Sequence, residues 1–200
     1  SEGEYGVVFE RNIETVMRDG TILRADVWRP DAEGKFPVLI ERTPYGKAGS
    51  SESKLGAGEY YAPRGYVIVV QDVRGRFDSD GEFYPFRDDG DGEKKDGYDT
   101  VEWAAEQQWS NGNIGTIGGS YSGMTQYRML SAQPPHLKAQ FARQSSADYY
   151  DEWVYRGGVF EHGFNLKWVL LHTSTNARKL APSGNEDEVE KQTAEAAENY

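Results

Sequence analysis

Ile114-Gly115-Thr116-Ile117-Gly118-Gly119-Ser120-Tyr121-Ser122-Gly123 is the stretch whose reading decides the fold. Ile114–Gly118 reads as a short apolar strand, and Tyr121 to about Ala132 as a helix ended by Pro134-Pro135. Between them stands a serine among small residues. A serine in a sharp strand-to-helix turn is held in strained backbone geometry, and strand and helix approach so closely that its neighbours must be small. Gly118 and Gly119 meet that need before the serine. Ser122 and Gly123 meet it afterwards, although the glycine comes one position later than in the pattern G-x-S-x-G. The turn also sets the backbone N–H of Tyr121 at the helix start, where a developing oxyanion can be held. The competing reading is a glycine-rich turn whose serine only caps the helix. A strand before and a helix after favour Ser120 as a nucleophile.

Upstream, Val7–Phe9 and Ile13–Val16 read as β. Asp19-Gly20 turns the chain into a return strand on which Leu23, Ala25 and Val27 alternate with polar residues. Phe36–Ile40 is continuously apolar, which predicts a central strand, and Tyr66–Val70 is the clearest buried strand of all. It ends in Gln71-Asp72-Val73-Arg74-Gly75-Arg76, polar groups at the carboxyl end of a strand, where open α/β sheets bind ligands. The Gly46–Gly58 segment reads as a loop, and residues 78–97, acidic and rich in glycine, as a solvated connection. A helix runs from about Asp96 through Ala105 until Asn111-Gly112-Asn113 stops it, and Leu137–Phe141 is the next strand. Strands alternating with helices predict an α/β fold with a largely parallel sheet opened by an antiparallel hairpin. From Ala147 aromatic residues crowd together at helical spacing, and residues 186–198 read as an acidic helix. The expected division is therefore 1–146 for the sheet domain and 147–200 for the start of a helical insertion that packs over it.

Composition narrows the function classes. With 22 basic against 33 acidic residues and a net charge of -11, no basic cluster can follow a phosphate backbone, so nucleic acid is not an expected partner. The absence of cysteine excludes disulfides and thiolate metal sites. No apolar run approaches the roughly 18 residues of a membrane span, and no membrane partner is expected. The acidic start Ser1-Glu2-Gly3-Glu4 is not a signal peptide in this form; with no cysteine, a cytoplasmic location is favoured. Asp78-Ser79-Asp80-Gly81 and Asp88-Asp89-Gly90-Asp91-Gly92 do not fit a calcium loop, and Gly112, Gly115 and Gly118 do not make a dinucleotide fingerprint. No cofactor or metal is expected. The expected partner is a small-molecule ester or amide, and a homo-oligomer is left open.

Six stretches carry a resemblance: Met17-Arg18-Asp19-Gly20-Thr21, Arg42-Thr43-Pro44-Tyr45, Gln71-Asp72-Val73-Arg74-Gly75, Ser79-Asp80-Gly81-Glu82-Phe83, Trp109-Ser110-Asn111-Gly112-Asn113 and Gly118-Gly119-Ser120-Tyr121-Ser122-Gly123. In this order they resemble the serine hydrolase family of cocaine esterase, the α-amino-acid ester hydrolases and the X-Pro dipeptidyl-peptidases. The family's elbow reads Gly-x-Ser-Tyr-x-Gly, which accommodates the late Gly123.

The resemblance implies an α/β-hydrolase fold, here the first part of its sheet, with the start of a helical cap. It places the nucleophile on Ser120 and the oxyanion donors on the Tyr45 hydroxyl and the Tyr121 N–H. It places Trp153 and Trp168 on an acyl pocket, against the plain alternative of aromatic packing. Ser122 stands where the amino-acid ester hydrolases carry Glu, which leans toward esters of uncharged acyl groups.

The implied activity is carboxylic ester hydrolysis through an acyl-enzyme. The alternatives are X-Pro peptidase or β-lactam acylase chemistry on the same site, with Glu152 and Glu161 as candidates to hold a substrate ammonium, or a binding protein that keeps the fold. A triad also needs an acid and a histidine. His136, His162 and His172 do not fall where relatives carry the base, which comes later than residue 200. The 200 residues are accordingly expected to be a fragment, inactive alone, of a protein that continues into the rest of the sheet and a β-sandwich.

Overall fold

The computed structural model describes residues 4–54, 56–180 and 184–198, and the chain divides into two compact units, Ser1–Ala147 and Asp148–Tyr200. In the first unit β1 (Gly6–Val16), β2 (Ile22–Asp31), β3 (Phe36–Thr43), β4 (Val67–Asp72), β5 (Ser110–Gly119) and β6 (Leu137–Arg143) form one sheet in the order β1-β2-β4-β3-β5-β6. β1 pairs antiparallel with β2, and β2 antiparallel with β4. From β4 through β3 and β5 to β6 every pairing is parallel. Parallel neighbours need crossovers. Helices α1 (Ser51–Lys54) and α2 (Ala57–Tyr61) lie between β3 and β4, α3 (Asp96–Glu106) between β4 and β5, and α4 (Tyr121–Leu130) between β5 and β6.

β4 is buried at every position because both faces of the sheet are covered. Val67 and Val69 share one cluster with Val38, Ile40, Ile114, Val101, Ala104 and Met129, so α3 and α4 cover that face. Ile68 and Val70 point the other way, into a cluster with Trp28, Ala62 and Tyr61. Each buried Val, Ile and Met among them contributes roughly 1.5–3 kcal/mol of burial. The continuous apolar run of the sequence follows from this two-sided cover. β6 closes the described sheet as a half-exposed edge, with Phe141 facing solvent.

Two expectations need correction. The Gly46–Gly58 segment is not a plain loop: it holds a 3-10 turn at Lys47–Gly49 and the short helices α1 and α2. The acidic connection of residues 78–97 is only partly solvated. Ser79, Phe86, Asp88, Asp89 and Asp96 are buried. The reason is charge balance. Arg42 and Arg74, both buried, follow the apolar runs of β3 and β4 into the interior, and a dry guanidinium requires a paired carboxylate. Asp96 and Asp19 supply it to Arg74, at 2.6 and 2.8 Å, and Asp89 supplies it to Arg42. The acidic loop is drawn inward by the arginines.

The second unit contains a π-helical turn at Tyr150–Val154, the hairpin β7 (Tyr155–Arg156) and β8 (Val159–Phe160), and helices α5 (His162–Leu180) and α6 (Glu186–Glu198), which pack on each other. Its aromatic residues cluster locally: Tyr155 lies 4.5 Å from Tyr150 and 5.4 Å from Phe160, centroid to centroid.

Candidate active site

The carboxyl ends of the parallel strands meet at one edge of the sheet. There β5 passes into α4 through Ser120, which has φ 56° and ψ −120°. This is a costly conformation for a residue with a side chain, of order 1–3 kcal/mol. Ser120 occupies the N-cap position of α4, yet its hydroxyl makes no capping bond. Its backbone is held on both sides: the N–H donates to the Arg143 carbonyl at 2.9 Å, and its own carbonyl accepts from Gly123 and Met124 at 3.0 Å each. Tyr121 is then the first helical residue, at the end where N–H groups point out of the helix rather than into its ladder.

The small residues around the serine have distinct jobs. A Cβ on Gly118, where φ is 141°, would stand 2.6 Å from the Ser122 Cβ, and one on Gly123 would stand 2.6 Å from the Ser145 Cβ. Gly119 is open by comparison, its nearest neighbour the Arg143 carbonyl at 3.6 Å. The close approaches are thus one turn apart, Gly118 on Ser122 and Gly123 on Ser145, and this explains the position of the second glycine. Ser122 turns inward and donates to buried Glu41 of β3 at 2.9 Å.

Tyr45 follows the end of β3. Its ring stands edge-on to that of Tyr121, with centroids 6.2 Å apart. The Tyr121 ring is itself clamped by the corrected connection. It stacks on Phe86 at 4.1 Å, and its hydroxyl accepts the Phe86 N–H at 3.1 Å. Burial raises the Tyr121 phenol well above its ordinary pKa, with the nearby Asp89 adding to the effect, so it stays neutral. The loop carrying Tyr45 is tied to β4. Lys47 donates its backbone N–H to Asp72 at 2.7 Å and its ammonium to the same carboxylate at 3.1 Å and to Asp78. Beside Tyr45 opens a cleft of ≈ 450 Å³, lined in part by Arg11, Asn12, Asp26, Lys47 and Phe77.

The sequence profile of the X-Pro dipeptidyl-peptidase (S15) family matches residues 19–200. The chain belongs to that family. It is similar to cocaine esterase from Rhodococcus sp. (strain MB1 Bresler), with 39% identity over 175 residues, 85% of this chain and 29% of that enzyme. Its fold resembles the crystal structure of a CocE/NonD family hydrolase from Staphylococcus aureus, with a TM-score of 0.75 and 34% identity over 84% of this chain and 33% of that one. It also resembles an α-amino acid ester hydrolase, with a TM-score of 0.70 and 25% identity over 88% of this chain and 31% of that one. The mixed sheet with its covering helices is an α/β-hydrolase fold. The chain spans about a third of the length of these relatives.

Within this S15 chain, the first unit brings Ser120, Tyr121 and Tyr45 to one end of the sheet. Trp153 and Trp168 lie in the second unit, where Trp153 packs 6.0 Å from both Tyr149 and Phe164, and Trp168 4.7 Å from His172. Their assignment to an acyl pocket rests on the resemblance alone. His136 precedes β6 and bonds Glu102 at 2.7 Å, at the opposite end of the strands from Ser120. At ~3.3 Å per residue along β5 it lies roughly 17 Å from the elbow. The residues that sequence reading missed are the buried charges Glu41, Arg42, Lys47, Asp72 and Asp89, which hold the backbone of the site. For Glu41, Arg42 and Asp72 the one signal was position, since they follow directly on the two most apolar runs; Lys47 and Asp89 carried none.

Proposed function

We propose that this chain carries the nucleophile and the oxyanion hole of a serine hydrolase acting on carboxylic esters. One observation carries the reading: Ser120 is held in a strained conformation at a helix start without capping that helix. A serine retained under strain with no side-chain capping bond to show for it is expected where its hydroxyl has chemistry to do. In the proposed cycle Ser120 Oγ bonds to the acyl carbon while a base takes its proton, and the carbonyl π pair moves onto oxygen. The Tyr45 hydroxyl and the Tyr121 N–H donate to that oxyanion. Collapse expels the alcohol, which leaves with the proton from the base, and water then repeats the sequence on the acyl-serine. The base cannot be His136, from its place at the far end of the strands. We assign the base and its orienting acid to the part of the full-length relatives that this chain does not span.

The similarity to cocaine esterase favours esters as substrates. The family's X-Pro dipeptidyl-peptidase description and the likeness to an amino acid ester hydrolase support a second reading, cleavage of amino-acyl esters or X-Pro amides at the same serine. The test is treatment of the intact, longest natural form of the protein with a fluorophosphonate, mapped by mass spectrometry. An adduct on Ser120, absent in Ser120→Ala, supports the hydrolase reading, and a panel of aryl esters against X-Pro anilides then separates the two. A folded protein that takes up no label refutes both and leaves a binding protein on the same fold.

A further inference from the structure

Tyr45 is useful as an oxyanion donor only if its hydroxyl is held still, and a phenol at the tip of a loop is not held by its own side chain. The peptide unit that carries it is pinned at both polar ends. On one side the Tyr45 N–H donates to Thr43 Oγ1 at 3.2 Å. On the other, Arg76 Nε donates to the Pro44 carbonyl at 2.8 Å. Because a peptide unit is planar, fixing its donor and its acceptor fixes the plane in which the Tyr45 Cα lies. Beyond Tyr45 the chain reverses through Gly46, at φ 84°, against the ring of Phe77.

Arg76 is 1% exposed, and its guanidinium carbon lies 5.2 Å from the centre of the Phe77 ring and 5.1 Å from that of Phe83. Phe83 in turn stands 6.4 Å from Tyr121, the second candidate donor. One buried side chain therefore touches the peptide that carries Tyr45, the ring behind Gly46 and the ring beside Tyr121. Burial lowers the pKa of Arg76, while Tyr121, Asp72 and Tyr45 act to raise it, which places these groups around its head. An arginine remains charged at such a site.

We propose that Arg76 is a positioning residue of the oxyanion hole: it fixes the Pro44–Tyr45 peptide that carries the phenol donor. The inference rests on the proposed function and names a group on which the oxyanion geometry depends. A displacement of about 1 Å at such a donor costs on the order of a hundredfold in rate. Lysine keeps the charge but loses the planar fork that reaches both a carbonyl and two rings.

The test is a double-mutant cycle in the full-length protein, with an ester substrate, on Arg76→Lys, Tyr45→Phe and the pair. Arg76→Lys is expected to lower kcat by about 10- to 100-fold with KM changed less than about threefold. In the Tyr45→Phe background the same substitution is expected to change kcat less than about threefold, because the donor it positions is gone. Phe77→Leu, at a position 37% exposed, removes the ring behind Gly46 and is expected to lower kcat severalfold, again only while Tyr45 is present. It keeps the cycle decisive if Arg76 variants fail to fold. A kcat for Arg76→Lys within twofold of wild type, or losses that multiply with Tyr45→Phe, overturns the inference while an adduct on Ser120 leaves the hydrolase reading standing. Absence of that adduct in the wild type refutes both.

Discussion

Replacing Ser120 with glycine should leave the protein more stable than replacing it with alanine, the usual ranking at an N-cap reinforced here by backbone strain. Ser120 sits at φ 56°, ψ −120°, a region closed to residues with a Cβ except at a cost of about 1–3 kcal/mol. Alanine keeps the Cβ and so keeps the strain. Glycine removes the strain but adds about 0.5–1 kcal/mol of unfolded-chain entropy. The hydroxyl contributes no capping bond that either substitution could lose. The difference leaves Ser120→Gly ahead of Ser120→Ala by about 1 kcal/mol, some 2–4 °C in Tm for a domain of this size. Urea and thermal unfolding of the two variants, both without the hydroxyl, isolate the backbone effect. A glycine variant less stable than the alanine variant refutes the strain argument, and with it the observation on which the nucleophile assignment leans.

Other substitutions test the surroundings. Gly118→Ala and Gly123→Ala each force a Cβ to 2.6 Å from another and should cost about 1–3 kcal/mol, more at Gly118, where φ is 141°. Gly119→Ala, with its nearest neighbour at 3.6 Å, should cost less than about 1 kcal/mol in the same urea titrations. Tyr45→Phe should lower kcat by about 10²–10³ with KM nearly unchanged, and a normal kcat removes the phenol from the mechanism. Burial, against the pull of Arg42, pushes the Asp89 carboxyl up to about 6. Its folded pKa exceeds the unfolded value of about 3.9, so the stability it contributes is present below pH 4 and lost as pH rises to 6. Between pH 4 and 7 the wild type should lose on the order of 2 kcal/mol relative to Asp89→Asn, and parallel stability profiles refute that reading.

The parts of the fold that were legible are those where local pattern and tertiary position agree. Val67–Val70 could be read as a central strand because both faces of β4 are covered, and the turn at Ser120 could be read because small residues there answer to close backbone contacts. Strand order was out of reach. Nothing in Phe36–Thr43 says that β3 lies between β4 and β5, a fact fixed only by parallel pairing to segments far along the chain. Charged residues misled most. Asp89 and Asp96 look like solvated loop residues because composition reports the preference of a carboxylate for water, whereas their burial depends on Arg42 and Arg74, distant in sequence. The same limit hid Arg76. An arginine after a glycine in a polar run carries no local mark of the carbonyl it holds across the strand end.

The inward-drawn connection also bears on how the chain can be cut or extended. From Val73 to Lys95 it has almost no helix or strand, and a search for linkers by regularity alone would choose it for insertion, circular permutation or limited proteolysis. Yet Phe86 lies under Tyr121, Ser79 bonds the Asp72 carbonyl at 2.7 Å, and Asp89 faces Arg42. A protease needs several residues to detach and extend, and insertion tolerance follows burial rather than irregularity. Detaching this segment strips buried Arg42 of Asp89 and pulls Arg74 away from Asp19 and Asp96, so its nicking should track global unfolding instead of local fraying. Tags and fused domains belong elsewhere, such as the exposed tip at Gly157-Gly158 between β7 and β8.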